Sequence, residues 1–285
     1  MKEIRLRAKA KINLGLDVVR KREDGYHDVR MIMQTINLYD KLTLREMEEE
    51  GITVKTNLSF LPVNEDNLVY KAAKLLMDEF HIKKGLEIDL QKVIPVAAGM
   101  AGGSSDAAAV LVGVNRMFRL GLTKKDLMQR GVKIGADVPF CIMRGTALAE
   151  GIGEKLTVLP EMPHCFLIIA KPKIHVSTKF VYTNLKANEL KSHPDIDGQI
   201  AALQKHDLKT LVSLMENVLE SVTIPAHPEI AQIKEELMAQ GAMGAMMSGS
   251  GPTVFGVFEE EEKALSACEA LKQNAESRQV YLIRQ

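Results

Sequence analysis

The sequence predicts a protein of mixed strands and helices in two domains, divided near residue 160. Three observations carry that expectation. Over residues 4–18 apolar and polar side chains alternate, the period of a strand with one buried face. Over residues 67–80, Leu68, Ala72, Leu75, Leu76 and Phe80 recur instead at helical spacing. Around residues 159–163 prolines bracket a break, after which residues 165–170 begin a fresh apolar strand. A chain of 285 residues, 46% hydrophobic and 26% charged, has material for one large or two ordinary domains.

The elements follow in order. Residues 4–18 read as one strand or a bent pair, with Lys9, Lys11, Asn13 and Gly15 on the polar face; Asp24 and Gly25 make the turn that ends it. Residues 31–38 and 41–45 read as two further strands. Residues 46–51 are a charged turn, and 52–56 the returning strand. Leu86, Ile88 and Leu90 alternate as a strand, and residues 107–118 are helix-prone. Thr123 caps a short helix over 124–130, residues 135–140 form a tight loop, and 145–150 a strand. Beyond the break, helices are expected over 178–185, 208–219, 228–240 and 261–274, with strands over 244–247, 253–258 and 280–283.

Composition excludes several classes of function. Lys plus Arg and Asp plus Glu both number 37, so bulk charge offers no case for nucleic acid or an anionic membrane as partner. Three cysteines, Cys141, Cys165 and Cys268, lie far apart in no metal or redox spacing, as in a reducing compartment. The histidines are scattered, no signal-peptide core opens the sequence, and no apolar run approaches the roughly 20 residues that span a bilayer. A soluble cytoplasmic protein is expected.

The densest signal is Pro95-Val-Ala-Ala-Gly-Met-Ala-Gly-Gly-Ser-Ser-Asp106, which runs into the helix-prone 107–118. Small residues let backbone bend and approach a ligand, and a helix start offers unpaired N–H groups at the positive end of a dipole. Together they make a socket for phosphate. No Gly-Lys-Ser/Thr follows, and the glycines lack G-x-G-x-x-G spacing, so neither common nucleotide fingerprint applies. On these residues alone, a strand-to-helix connection capped by a serine fits as well. Asp106 is expected to favour the helix N-terminus rather than to touch a polyanion.

Three blocks together resemble the GHMP small-molecule kinases: Ala8-Lys-Ala-Lys-Ile-Asn-Leu-Gly-Leu16 with Arg22-Glu-Asp-Gly-Tyr-His27; Pro95 to Asp106; and Met247-Ser-Gly-Ser-Gly-Pro-Thr253. The wider family has a Gly-Leu-Gly-Ser-Ser core in the second block, where this chain is one residue longer and carries Met100 and Ala101. The resemblance implies an α+β fold of two domains. Residues 1–160 would be similar to the ribosomal protein S5 domain 2 fold and residues 161–285 ferredoxin-like, with ATP and acceptor meeting between them. Mg2+ is implied, with no assignable acidic ligand. The branch it resembles most phosphorylates a cytidyl diphosphate acceptor in isoprenoid synthesis.

Site residues follow from the same resemblance. Pro95, Val96, Ala97, Ala98, Gly99, Met100, Ala101, Gly102, Gly103, Ser104 and Ser105 would hold the ATP phosphates, one serine hydroxyl reaching the metal. Asn67, also a natural helix cap, would lie on the adenine side with Leu68 and Val69. Lys9, Lys11 and Asn13 share a strand face, so periodicity does not choose between the lysines; the resemblance chooses Lys11, paired with Asp137 for catalysis, and places Asn13 at the substrate. Tyr26 and His27 would stack on and hydrogen-bond the cytosine. Thr178 and Tyr182, four apart on a helix, would join them, while Phe180 fits the core better. Ser248 and Gly249 would support acceptor and phosphate loop. Homoserine- or mevalonate-type kinases are the nearest alternative, but their acceptors carry no base for Tyr26 and His27. A non-catalytic nucleotide-binding regulator is disfavoured by the presence of both Lys11 and Asp137. The chain is expected to be a monomer or weak homodimer.

Overall fold

The alternation near the N-terminus becomes one long strand, β1 (Glu3–Lys21), paired with an equally continuous β2 (His27–Met47). The computed structural model describes residues 2–190, 192–273 and 278–285. In it the two strands predicted over 31–38 and 41–45 are one, because Tyr39 and Asp40 continue the extended backbone. Then come β3 (Ile52–Thr56), α1 (Leu68–Glu79), β4 (Gly85–Gln91), α2 (Gly102–Met117), α3 (Lys124–Gly131) and α4 (Val138–Met143). The chain packs as two compact units, each assembled from separate stretches.

The first unit contains the residues up to Ala10, Leu38–Val96 and Ala101–Arg144. Here the Lys41–Met47 part of β2 pairs antiparallel with β4, and β4 pairs parallel with β3. Helices α1 and α2 pack on each other, and α4 on α2. Leu42, Leu44, Leu76, Ile88, Val110 and Leu111 form its core, each essentially inaccessible. Burying each such side chain contributes about 1.5–3 kcal/mol. Asn67 caps α1 by accepting from the Val69 N–H, and Thr123 and Asp126 form a capping box on α3, as their sequence patterns predict. The expected loop over 135–140 is half helix: α4 starts after Asp137 with Pro139 in its first turn, where a proline loses no hydrogen bond.

The second unit contains Lys11–Asn37, Ala97–Met100 and Gly145–Gln285. In it β5 (Thr146–Gly151) pairs with the Val29–Gln34 part of β2 and with β6 (Lys155–Leu159), a strand not anticipated beside the proline break. There follow β7 (Phe166–Pro172), α5 (Thr178–Asn184), α6 (Ile196–Gln204), α7 (Leu208–Ser213), α8 (Glu220–Ala226), α9 (Glu229–Ala239), β8 (Gly244–Met247), β9 (Val254–Phe258), α10 (Glu261–Lys272) and β10 (Arg278–Arg284). The order β10-β7-β9-β8, antiparallel throughout, is the ferredoxin-like arrangement, with α9 and α10 packed on the sheet. Helix α6 was not anticipated. The helix expected over 208–219 ends at Ser213 as α7, residues 214–219 are not helical, and α8, which starts beyond them, was not anticipated. Asn274, the expected end of the last helix, lies outside the described residues.

Over residues 11–17 the polar face of β1 does not meet water. Lys11, Asn13 and Asp17 are buried and partnered: Lys11 Nζ donates to Asn13 Oδ1 at 2.7 Å, Asn13 Nδ2 to the Met31 sulfur at 3.2 Å, and Asp17 pairs with His193 at 2.8 Å. Gly15 is where Gln199 and Ile196 close onto the strand; a Cβ there would overlap the Gln199 side chain.

Candidate active site

Within the second unit, three segments distant in sequence meet at Gly99. Its φ of +72° is a left-handed conformation that favours glycine, and a Cβ there would overlap the Ser248 carbonyl oxygen. Ser248 Oγ donates to the Gly99 carbonyl at 3.0 Å, and the Lys11 N–H donates to the Met100 carbonyl at 3.2 Å. A Cβ on Gly249 (φ +57°) would lie 3.1 Å from the Gly99 oxygen and 3.4 Å from Lys11 Nζ. The lysine strand, the Gly99 loop and the turn between β8 and β9 thus converge at van der Waals distance. Asn13 turns its oxygen to the Lys11 ammonium and so fixes where that charge sits.

The turn is held from a position the sequence did not reveal. Asn217 Nδ2 donates to the Met247 and Gly249 carbonyls, both at 2.8 Å, while its Oδ1 accepts from the Leu219 N–H at 3.0 Å. Asn217 occupies the break between α7 and α8. An asparagine and two turn glycines were visible, but no local pattern joins residue 217 to residues 247–249.

A second cluster in this unit suits a flat base. Tyr26 is 61% exposed on its turn, His27 is buried, and the His27 and Tyr182 rings lie 5.2 Å apart at 45°. Burial, reinforced by the charge of Lys21, pushes the His27 pKa below its usual value, so the imidazole is neutral near pH 7, with one acceptor and one donor nitrogen. Thr178 and Tyr182 share α5, where the Thr178 hydroxyl meets that of Ser250 at 2.9 Å. Phe180 is 45% exposed and not in the core; Val181 takes that place, because the α5 face that packs inward passes through residue 181.

In the first unit, α2 starts at Gly102, five residues before the helix-prone run, so Gly102, Gly103, Ser104 and Ser105 are its first turn. No serine caps it. The N-cap is Ala101, left-handed at φ 53°, and no side chain accepts from the first turn. The uncapped N–H groups and exposed Gly103 leave this end of a 16-residue helix open to an anion. The two serines divide: Ser105 is buried and its hydroxyl donates to the Lys9 carbonyl at 2.6 Å, whereas Ser104 is half-exposed. Asn67, besides its capping bond, donates to the Pro62 carbonyl at 2.7 Å. A Cβ on Gly103 would touch Leu68 at 3.4 Å, so the start of α1 borders the loop. Asp137 is half-exposed, makes no capping bond with its carboxylate, and lies two residues after Gly135, where a Cβ would be 3.8 Å from Ser104 Oγ.

Asp106 does not serve the helix N-terminus. It lies beyond the first turn, buried, and accepts from Lys92 Nζ at 2.7 Å; the same ammonium pairs with Asp40. Asp40 also accepts from the Val93 and Ile94 N–H groups at 2.5 and 2.8 Å. Asp106 Oδ1 has no partner. Burial, with the nearby Asp40 carboxylate, raises the Asp106 pKa well above the usual carboxylate range against the pull of Lys92. This triad anchors the strand that leads into the loop. Among the described residues no cluster of His, Cys, Asp or Glu could hold a metal, and no helix is long and apolar enough to cross a membrane.

Comparison with known proteins bears on the fold and the family. The family model for the N-terminal domain of GHMP kinases matches residues 67–145, and that for their C-terminal part matches residues 199–277. The 4-diphosphocytidyl-2-C-methyl-D-erythritol kinase of Lachnospira eligens is 58% identical over 281 residues, covering 99% of this chain and 98% of its own length. That of Lachnoclostridium phytofermentans is 57% identical, covering 99% and 97%. A crystal structure of 4-(cytidine 5'-diphospho)-2C-methyl-D-erythritol kinase superposes with a TM-score of 0.84 at 30% identity over 99% of this chain and 100% of that one. Homoserine kinase from Cytophaga hutchinsonii, at TM-score 0.79 and 21% identity over 100% and 96%, shares the fold.

Proposed function

The chain belongs to the GHMP kinase family, and on that premise we propose that it transfers the γ-phosphoryl group of ATP to the 2-hydroxyl of 4-diphosphocytidyl-2-C-methyl-D-erythritol. The observation that carries the choice of acceptor is the His27–Tyr182 ring pair, with the exposed Tyr26 preceding His27 in the chain. Two aromatic surfaces and a neutral imidazole suit cytosine, which offers a π face, an amino donor and ring acceptors. An acceptor without a base would leave that surface unused.

Phosphoryl transfer asks the protein mainly to position reactants and to stabilise charge. In this reading the open start of α2 takes the ATP phosphates, while Ser248, through its bond to the Gly99 carbonyl, and Asn217, through the turn, keep the backbone around Gly99 in place. As the acceptor oxygen bonds to the γ-phosphorus and the bond to the β-phosphate oxygen breaks, releasing ADP, the hydroxyl proton passes to Asp137. Lys11, oriented by Asn13, stabilises charge on the same oxygen. The roles of Lys11 and Asp137 rest on the family resemblance. Mg2+ would supply charge neutralisation at the phosphates, with the half-exposed Ser104 hydroxyl as its protein contact. The reading includes an N-terminal domain of residues 1–160 and a C-terminal one of 161–285, in keeping with the order of the two family matches, and a cytoplasmic monomer or weak homodimer.

The test is ATP consumption by the purified protein with separate acceptors. Turnover is expected with the cytidyl acceptor and not with homoserine or mevalonate; equal turnover with either would overturn the assignment. Asp137→Asn should lower kcat by roughly 10²–10⁴ while both ligands still bind.

A further inference from the structure

Outside this site, the first unit contains a pocket of about 640 Å³ between the start of β1, the second half of α2 and the end of α4. Its lining includes five cations, Arg5, Arg7, Arg116, Lys124 and Arg144, and no acid. Convergent like charges on one concave surface raise each other's energy unless a counter-charge joins them. The surrounding protein supplies little of one. Arg5 has an exposed pair with Glu3, a class worth little. Arg144 donates to the Arg7 carbonyl at 2.9 Å and Lys124 to the Met143 carbonyl at 2.6 Å. Arg7 stacks 4.7 Å over Tyr39. These contacts aim the cations without neutralising them. Arg144 also sits at φ 62°, a conformation costly for a side-chain-bearing residue, directly before a glycine that would adopt it freely. The field reaches nearby Lys9, whose pKa is lowered first by burial and then by Arg144 and Arg7.

The shape narrows the ligand. The volume far exceeds that of inorganic phosphate and falls in the range of small-molecule sites. Val112, Leu127 and Ile142 give an apolar lining, and no aromatic ring is present to stack a base. We propose that this pocket is a second anion site, separate from the phosphate loop, that takes a soluble phosphate ester with an aliphatic body.

Calorimetric titration of n-octyl phosphate into the full-length protein, saturated beforehand with a non-hydrolysable ATP analogue, tests this. Saturable one-to-one binding is expected, with inorganic pyrophosphate binding more weakly for want of an aliphatic body. Arg116→Gln and Lys124→Gln, both at exposed positions, should each weaken octyl phosphate roughly tenfold, as loss of one charge-assisted hydrogen bond does. Their circular dichroism and their turnover without octyl phosphate should match the wild type. No binding, binding indifferent to both substitutions, or binding abolished by the ATP analogue would overturn the proposal, the last by relocating it to the phosphate loop. Retention on phosphatidic acid vesicles that Lys124→Gln abolishes would also overturn it, in favour of a membrane headgroup.

Discussion

Replacing Asn217 with alanine removes three buried hydrogen bonds at once: two from Nδ2 to the Met247 and Gly249 carbonyls and one to Oδ1 from the Leu219 N–H. At about 1 kcal/mol net for each bond, the loss is about 3 kcal/mol, before any added cost for carbonyls left unpaired in a dry interior. A loss of that size lowers Tm by about 6 °C or more in a chain of this length. The functional effect follows the same bonds. The freed carbonyls flank Ser248, whose hydroxyl holds Gly99, so the turn and the Gly99 loop lose their registration and, on the proposed function, kcat/KM falls with stability. Asn217→Asp is a sharper probe, since a carboxylate cannot donate and would face both carbonyl oxygens; it should be at least as damaging as alanine. Scanning fluorimetry and steady-state kinetics on the two variants read both effects. A Tm within about 1 °C of wild type in Asn217→Ala would refute the idea that residue 217 holds the turn.

Three further outcomes are expected. Gly99→Ala combines a left-handed residue, costing about 1–2 kcal/mol, with overlap on the Ser248 carbonyl, costing about 1–3 kcal/mol; urea denaturation should show a loss of at least about 2 kcal/mol, and an unchanged midpoint would contradict the crowding at this crossing. The raised Asp106 pKa carries stability that is full below the unfolded value and is lost as pH climbs towards the folded one. Asp106→Asn should therefore match or exceed wild-type stability near pH 7 and lose that relative gain near pH 4; a variant less stable at neutral pH than in acid, relative to wild type, would show the sign to be wrong. Because the His27 pKa is depressed, acceptor affinity should stay level from pH 8 down past the ordinary histidine range near about 6.5 and weaken only in stronger acid; a KM that already rises at about pH 7 would count against a neutral, acceptor-bearing imidazole.

Sequence reasoning succeeded where the determining contacts are local. Asn67 and Thr123 cap helices through bonds two or three residues away, and Gly99 in the loop and Gly249 and Gly251 in the 248–253 turn are needed by their own backbone angles. It failed where a distant partner decides. Lys11, Asn13 and Asp17 alternate as a solvated face would, yet each is buried with a partner contributed by its own strand or by residues 31 and 193. Asp106 reads in sequence as a helix-start acid, but it lies beyond the first turn and Lys92 claims it from the end of β4. The helix expected over 208–219 stops at Ser213, and the residues after it answer to distant partners: the backbone of 216 and 218 bonds Leu16, and the Asn217 side chain bonds residues 247 and 249. Helix α4 is only Val138–Met143, too short for a periodicity to show.

The sheet order of the second unit bears on how the protein is made. β7, buried along its whole length, lies between β9 and β10, so one edge waits for Val254–Phe258 and the other for Arg278–Arg284. While the ribosome is still adding the roughly hundred residues that separate β7 from those partners, an apolar strand has two open edges, the template on which nascent chains stick to one another. Synthesis outpacing chaperone supply should thus send this protein to inclusion bodies through β7, and charged substitutions at its end, rather than anywhere in the catalytic machinery, are where expression yield would be gained.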